Sequence, residues 1–143
     1  MAAGSGWVLV VEDDRALGSL IQQQVKDKGH VCERASDGAA ALQTIVMARR
    51  EPALVLLDLH LPAMEGEPLA LEIRRLLGKQ VPIVIVSGRA REQLAGVARR
   101  IGAAVLPKPF DLCELDALLD RYLHAPRPQR LAIRRKGCEL QPA

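Results

Sequence analysis

The chain has few aromatic residues and few cysteines, and it lacks the long apolar run of a membrane helix. Aromatic residues make up 2% of its 143 residues, too few for a platform on which single-stranded nucleic acid stacks. Its three cysteines lie far apart without a CxxC spacing, so we expect neither a zinc site nor a disulfide framework. No apolar run approaches the roughly 20 residues of a membrane span, and the first residues lack a signal-peptide pattern. We therefore expect a reduced, cytoplasmic protein without membrane contact.

The net charge of +3 comes from one end of the chain. Residues 126–143 contain five basic residues and one acidic residue, a net charge of +4, which leaves −1 for the remainder. A basic surface for nucleic acid is therefore not expected on the folded part. Because Pro126 and Pro128 interrupt the last helical pattern, we predict one domain over residues 6–125. Residues 126–143 are then a basic tail or linker, predicted to be disordered.

Short runs rich in valine, isoleucine and leucine alternate with longer runs of helical periodicity. The short runs predict buried strands at 7–11, 31–35, 54–57, 83–86 and 104–106. The longer runs predict helices around 17–28, 40–47, 68–77, 91–101 and 112–123, the first, third and fourth followed by Gly29, Gly78 and Gly102. Such alternation predicts an α/β fold, an open, doubly wound parallel sheet with helices on both faces. Five strands are too few for an eight-stranded barrel.

Several residues outside the strand ends also receive a prediction. Leu20, Leu76 and Leu112 belong to the apolar stripes of the first, third and fifth helices. Lone or paired polar residues are predicted at the solvated surface, among them His30, His124 and the pairs Arg49-Arg50, Arg74-Arg75 and Arg99-Arg100. Cys32 and Cys113 are predicted to be buried or half-buried thiols rather than reactive ones.

Charged and hydroxyl side chains follow four of the predicted strands, where ligands bind in an open α/β sheet. They are Glu12-Asp13-Asp14 after the first strand, Asp58 after the third, Ser87 after the fourth and Lys108 after the fifth. Each alone has an ordinary explanation, such as a helix cap for Asp14 or a turn for Asp58.

Together, these residues favour phosphoryl transfer to a carboxylate. Mg²⁺ prefers oxygen ligands, and a divalent cation with the Lys108 ammonium would keep clustered carboxylates ionised. An ionised Asp58 can then attack phosphorus, while the metal, Lys108 and Ser87 hold the oxygens of the transferred group.

The same motifs resemble those of the receiver domains of response regulators, the CheY-like domains of two-component signal transduction. The matching segments are residues 10–14, 58–66, 86–88 and 106–110, and the resemblance covers about residues 6–124. It implies a five-stranded parallel sheet of order 2-1-3-4-5 with five helices. It also implies a cis peptide bond between Lys108 and Pro109.

The resemblance assigns a role to each residue of the site. Asp58 corresponds to the phosphoacceptor and, with Asp13, to a direct ligand of Mg²⁺ or Mn²⁺. Glu12 corresponds to a ligand acting through water, and the backbone carbonyl of His60 to the third protein ligand. Ser87 corresponds to the switch hydroxyl and Lys108 to the lysine that contacts the phosphoryl group.

One position departs from the family pattern. Val105 stands where the family usually has a switch aromatic, and the segment 102–108 is one residue shorter than usual. A valine has no ring to swing between buried and exposed positions. Aromatic coupling from Ser87 to the output face of helix four, strand five and helix five is therefore in question, whereas phosphoacceptance is not.

The function implied by the resemblance is signalling rather than enzymatic turnover. The domain takes a phosphoryl group from a histidine kinase or histidine phosphotransfer protein, and catalyses only its own phosphorylation and dephosphorylation. It then switches contacts with a downstream protein or a covalently linked output domain; a homodimer is also allowed, and nucleic-acid binding by this chain alone is not expected.

Three alternatives remain open on the sequence. One is a phosphorylation-independent pseudo-receiver that acts as a binding module. A second is a receiver fragment of a longer DNA-binding regulator or hybrid kinase. The third, a haloacid-dehalogenase-type phosphatase, needs an acid two residues after the nucleophile, where this chain has His60.

Overall fold

Five strands alternate with five helices along the chain, as predicted. A computed structural model describes residues 6–59, 66–88 and 91–123. The elements are β1 (Trp7–Val11), α1 (Arg15–Asp27), β2 (Val31–Ala35), α2 (Gly38–Met47), β3 (Leu54–Asp58), α3 (Gly66–Leu77), β4 (Ile83–Ser87), α4 (Arg91–Ile101), β5 (Ala104–Pro107) and α5 (Leu112–Tyr122). The last three strands each extend one residue beyond the predicted run, so that Asp58 and Ser87 are the terminal residues of β3 and β4. The predicted tail and His124 lie outside the described residues.

The strands form one parallel sheet in the order β2-β1-β3-β4-β5. This confirms both the doubly wound fold and the strand order that the resemblance implied. Because β1 lies beside β3, the residues that follow them meet at one edge of the sheet. The longest described helix, α1, has 13 residues, short of the roughly 20 that a membrane span requires.

Helices cover both faces of the sheet, which explains the unbroken apolar strands. Alternate residues of β1 face opposite sides: Val8 and Val10 pack with α1 and α5, whereas Leu9 and Val11 pack with α2, α3 and α4. Each residue of β3 and β4 is buried. A strand covered on both faces buries successive side chains, so it reads as a continuous apolar run.

Three helical residues predicted to face the core lie at its margin instead. Leu20, Leu76 and Leu112 are 39%, 38% and 45% exposed. In α1 the inward positions include Gly18 and Gln24, which periodicity of apolar residues does not select. The stripe gives the direction of a helix face only approximately, and the crossing angle of the packed helix determines which flanking residues are covered.

The surface position predicted for His30 was wrong, whereas the burial predicted for the two cysteines is confirmed. His30 is buried, and its Nδ1 lies 3.2 Å from the carbonyl oxygen of Gly6, to which it donates when it carries the proton. Cys32 is buried and Cys113 half-buried. Burial raises the pKa of the Cys32 thiol to about 12, so little of it is thiolate at neutral pH.

Arg74 also departs from its prediction, because it joins the ends of two helices instead of lying in solvent. Its Nε donates to the carbonyl of Ile101 at 2.8 Å, and its Nη1 donates to those of Gly78 and Val81 at 2.7 and 2.6 Å. Its Nη2 donates to the carbonyl of Gly102 at 3.2 Å. Helix ends leave carbonyls without partners, and the guanidinium satisfies those that follow α3 and α4.

Replacing Arg74 with methionine is expected to lower the free energy of unfolding by about 2 kcal/mol, because hydrogen bonds from a charged donor are lost together. Urea denaturation measures this change. The neighbouring Arg75→Met is the matched control: Arg75 is exposed and pairs with half-exposed Glu72, so the midpoint of this variant should stay near that of wild type. Equal midpoints for the two variants would contradict the structural role of Arg74.

Candidate functional site

Three carboxylates converge at the ends of β1 and β3. Ligand atoms of Glu12, Asp13 and Asp58 all lie within 4.8 Å of one another. Glu12 and Asp58 are buried, 1% and 3% exposed, whereas Asp13 is exposed. The backbone N–H of Glu12 donates to the carbonyl of Ala35 at 3.0 Å and so continues the ladder between β1 and β2. The sheet thereby fixes two of the three carboxylates in the protein interior.

Lys108 brings a cation to this cluster from β5. Its Nζ lies 3.3 Å from Oε1 of Glu12 and 3.5 Å from Oδ2 of Asp58. Its backbone N–H donates to the carbonyl of Ser87 at 2.8 Å, and the bond to Pro109 is cis, as the resemblance implied. The ammonium therefore contacts one carboxylate that follows β1 and one in the last residue of β3.

Ser87 is the buried final residue of β4, between the strands that carry Asp58 and Lys108. Val105 lies within β5, half-buried against the core on the side of α3 and α4. It pairs with Ile85 of β4, two residues before Ser87. The structure thus places Ser87 at the edge that holds the carboxylates. Val105 lies further inside the sheet, away from that edge. His60 lies outside the described residues.

Asp14, the remaining acid of the first motif, caps α1. Its Oδ1 accepts a hydrogen bond from the backbone N–H of Leu17 at 3.1 Å. The predicted capping role is therefore confirmed. The Asp14 carboxylate thereby pairs with an N–H at the start of α1 that has no partner within the helix. Asp13 rather than Asp14 faces the other two carboxylates.

The proximity of the carboxylates changes the ionisation of Glu12. Burial, followed by repulsion from Asp58, raises the pKa of Glu12 from 4.5 to about 7. The Asp14 N–H, 3.2 Å from Oε2 of Glu12, and the Lys108 ammonium oppose this rise. Without a further cation, the negative charge at this edge exceeds what Lys108 balances.

In the absence of divalent cations, the protein is expected to lose stability as the pH rises from 4.5 to 7. The folded state holds the Glu12 proton over this range and the unfolded state releases it, so the free energy of unfolding falls as pH rises. The expected fall is about 1 to 2 kcal/mol after allowance for solvent screening. Urea denaturation at pH 5.0 and 7.5 measures it. Glu12→Gln should flatten this dependence, and equal slopes for the two proteins would contradict the assignment.

Arg34 is a residue of this region that the sequence analysis missed. Its Nη2 donates to the backbone carbonyl of Asp13 at 3.3 Å from the neighbouring strand β2. The signal in the sequence is a charged residue at an inward position, because Arg34 lies two residues after buried Cys32 in an alternating strand. The alternation indicates on which face of the sheet the Arg34 side chain lies, but not which group it contacts.

The comparisons with known proteins agree with this fold. The model of the family "Response regulator receiver domain" matches residues 8–120, and the chain belongs to this family of two-component signal transduction and phosphorelay proteins. Among curated relatives, response regulator MprA of Mycobacterium leprae (strain TN) is 33% identical over 128 residues, covering 87% of this chain and 54% of that protein. MprA of Mycobacterium sp. (strain KMS) is 35% identical over 124 residues, covering 85% and 52%. The chain spans about half the length of these relatives.

Solved structures show the same architecture. The non-phosphorylated HemR receiver domain from Leptospira biflexa is 30% identical with a TM-score of 0.75, covering 87% of this chain and 98% of that one. A CheY-like receiver domain protein from Methanospirillum hungatei JF-1 is 26% identical, also with a TM-score of 0.75, covering 83% and 94%. A sensor protein from Polaromonas sp. JS666 is 28% identical with a TM-score of 0.69, covering 82% and 95%.

Proposed function

We propose that this receiver domain accepts a phosphoryl group on Asp58 from the phosphohistidine of a kinase or phosphotransfer protein. The observation that carries the proposal is the approach of the Lys108 ammonium to within 3.5 Å of the Asp58 carboxylate inside a cluster of three carboxylates. A lysine there faces the charge that develops on the transferred group. This arrangement supports phosphoacceptance over a pseudo-receiver.

The donor set fits a hard divalent cation such as Mg²⁺ or Mn²⁺. All three acids offer oxygen ligands, and burial, followed by repulsion from Asp58, raises the pKa of Glu12, a rise that a bound cation would oppose. Asp13 and Asp58 would bind it directly and Glu12 through water, with the His60 carbonyl completing the protein ligands. When bound, the cation supplies electrostatic stabilisation to the oxygens of the transferring group.

The residues of this chain then have distinct roles. A carboxylate oxygen of Asp58 forms the new bond to phosphorus as the bond between phosphorus and the donor's imidazole nitrogen breaks, which leaves the donor histidine unphosphorylated. Lys108 balances charge on the phosphoryl oxygens, and Ser87 supplies a hydroxyl from the neighbouring strand. Later hydrolysis of the aspartyl phosphate releases inorganic phosphate, so the chain catalyses only its own phosphorylation and dephosphorylation.

The switch would pass from Ser87 to the face formed by α4, β5 and α5. Val105 carries no aromatic ring, but the hydrogen bond from the Lys108 N–H to the Ser87 carbonyl joins the ends of β4 and β5 through their backbones. Movement of Ser87 toward the phosphoryl group is therefore conveyed to β5 without a rotating ring. The face would contact a downstream protein, an output domain or a second copy.

Within this function, we propose that the chain represents the receiver part of a longer regulator. It covers 54% of the M. leprae MprA sequence, which leaves nearly half of that protein for other segments. Residues 126–143 would then be the linker that follows a domain of residues 6–125. The location would be the cytoplasm, where phosphorylating kinase domains act.

Intact-mass spectrometry after incubation with acetyl phosphate and Mg²⁺ tests the proposal. We expect the mass of one phosphoryl group, lost when a chelator is added. Borohydride reduction and tryptic mapping should place the modification at Asp58 in the peptide of residues 51–74. No adduct, either with acetyl phosphate or with a phosphorylated phosphotransfer protein, would favour the pseudo-receiver. An adduct at another residue would refute the assignment of Asp58.

A further inference from the structure

The turn that carries Asp13 is held by β2 on both sides. The N–H of Glu12 donates to the carbonyl of Ala35, and the carbonyl of Asp13 accepts from Nη2 of Arg34 at 3.3 Å. The two partners are consecutive residues of one strand. Asp13 itself is exposed, so packing around its side chain contributes little to its position. Its orientation depends on these backbone contacts and on the start of α1.

Arg34 reaches Asp13 by passing across Gly18 of α1. A Cβ atom on Gly18 would lie 2.3 Å from Nε and 2.7 Å from Cδ of Arg34, closer than side chains tolerate. Gly18 does not belong to the glycines with positive φ, so its backbone conformation does not require glycine. Glycine inside a helix costs about 1 kcal/mol relative to alanine. The space it leaves is filled by the arginine side chain.

The guanidinium occupies this path although one of its donors is unsatisfied. Nε of Arg34 is buried and has no hydrogen-bond partner among the described residues. A buried donor without a partner is unfavourable. An arginine that extended into solvent from the edge strand would avoid this cost. The gain that offsets it in the observed position is the hydrogen bond to the Asp13 carbonyl.

We propose that Arg34 is a positioning residue that holds the Asp13 carboxylate in place for the divalent cation, and that Gly18 provides the path for its side chain. The proposal rests on the metal-dependent function proposed above. Arg34 acts through the backbone and contacts neither the cation nor the phosphoryl group. Its role is that of the outer residues that orient metal ligands.

Because Arg34 is positively charged, the two possible roles of its side chain predict opposite changes in the affinity for a metal ion. A positive charge near the cluster repels a cation, so removal of charge alone would tighten metal binding. Loss of positioning would weaken it. We expect Arg34→Thr to raise the Mn²⁺ dissociation constant about tenfold, as observed when residues that orient metal ligands are replaced. Electron paramagnetic resonance of free Mn²⁺ measures this constant without any phosphorylation step.

Arg15→Met is the matched control for charge. Arg15 is exposed at the start of α1, close to the same turn, and its removal should tighten Mn²⁺ binding no more than about twofold, because exposed charges are screened. With saturating Mg²⁺, Arg34→Thr should be phosphorylated within about twofold of the wild-type rate. The Mg²⁺ concentration for half-maximal rate should rise with the dissociation constant.

Gly18→Ala tests the path independently of any change at Arg34. Its methyl group should displace the guanidinium and weaken Mn²⁺ binding to a similar degree, while helix propensity favours the folded state. A threonine at position 34 lacks the side-chain atoms that cross Gly18. Adding Gly18→Ala to Arg34→Thr should therefore weaken Mn²⁺ binding no further, and fully additive effects of the two substitutions would contradict the proposal. If Arg34→Thr does not fold, the Mn²⁺ dissociation constant of Gly18→Ala alone tests the proposal.

The outcomes separate this proposal from the function on which it rests. If wild type fails to bind Mn²⁺, the proposed metal-dependent function fails, and the role of Arg34 with it. If wild type binds Mn²⁺ and the Arg34 and Gly18 variants bind it equally well or more tightly, only the positioning role is overturned. Weaker binding in both single variants, with no further loss in the double variant, supports it.

Discussion

Replacing Asp58 with asparagine is expected to abolish the phosphoryl adduct altogether. The amide has nearly the same shape as the carboxylate but is a far weaker nucleophile toward phosphorus. Asp58 is 3% exposed at the end of β3, so the isosteric change should preserve packing. It also removes the charge that repels Glu12. Thermal unfolding without divalent cations should therefore show a variant at least as stable as wild type.

The matched control for Asp58→Asn is Asp14→Asn. Both changes remove one carboxylate at the same edge, but Asp14 caps α1, a role that asparagine fills equally well. Intact-mass time courses with acetyl phosphate and Mg²⁺ should show wild-type adduct formation for Asp14→Asn and none for Asp58→Asn. Equal adduct formation by Asp58→Asn would exclude Asp58 as the phosphoacceptor.

Lys108→Met is expected to slow phosphorylation about 100- to 1000-fold, the effect of removing one donor that stabilises developing charge. The ammonium lies within 3.5 Å of both Glu12 and Asp58, so its loss leaves two buried carboxylates without their cation. Mg²⁺ should then bind more tightly, because a competing positive charge is gone. Rates measured over a Mg²⁺ titration should show a lower maximum reached at lower Mg²⁺ concentration.

Lys79→Met serves as the control for Lys108→Met. Lys79 is an exposed lysine in the turn between α3 and β4, away from the carboxylates. Its replacement should change neither the maximal rate nor the Mg²⁺ dependence. A maximal rate for Lys108→Met within threefold of wild type would show that the contact with Asp58 has no role in transfer.

The sequence indicates most of the site because parallel strands bring their ends to one edge. Apolar runs locate β1, β3, β4 and β5, and the residues at their carboxyl ends must share that edge whatever the details of packing. Glu12, Asp58 and Lys108 therefore follow from strand positions alone. The order of the strands does not, since periodicity says nothing about neighbours; the resemblance to receiver domains implied it, and the hydrogen-bonded sheet confirms it.

Contacts between elements are what the sequence leaves undetermined. Arg74 was predicted to be solvated from its place near a helix end, but the ends of α3 and α4 meet and surround it with carbonyls. His30 is buried, with its Nδ1 3.2 Å from the carbonyl oxygen of Gly6. Arg34 reaches Asp13 because α1 has a glycine where the side chain crosses. Each of these side chains has a partner more than 20 residues away in the chain, about which the local pattern carries no information.

By itself, the sequence determines the alternating α/β fold, the residues at the strand ends and the chemistry that they favour. Those features depend on periodicity and residue type, which are local properties of the chain. Only the tertiary structure decides that the carboxylates lie within 4.8 Å of one another, that burial and Asp58 raise the pKa of Glu12, and that Arg34 and Arg74 contact backbone carbonyls. These depend on distances between elements, which the packing of helices against the sheet sets.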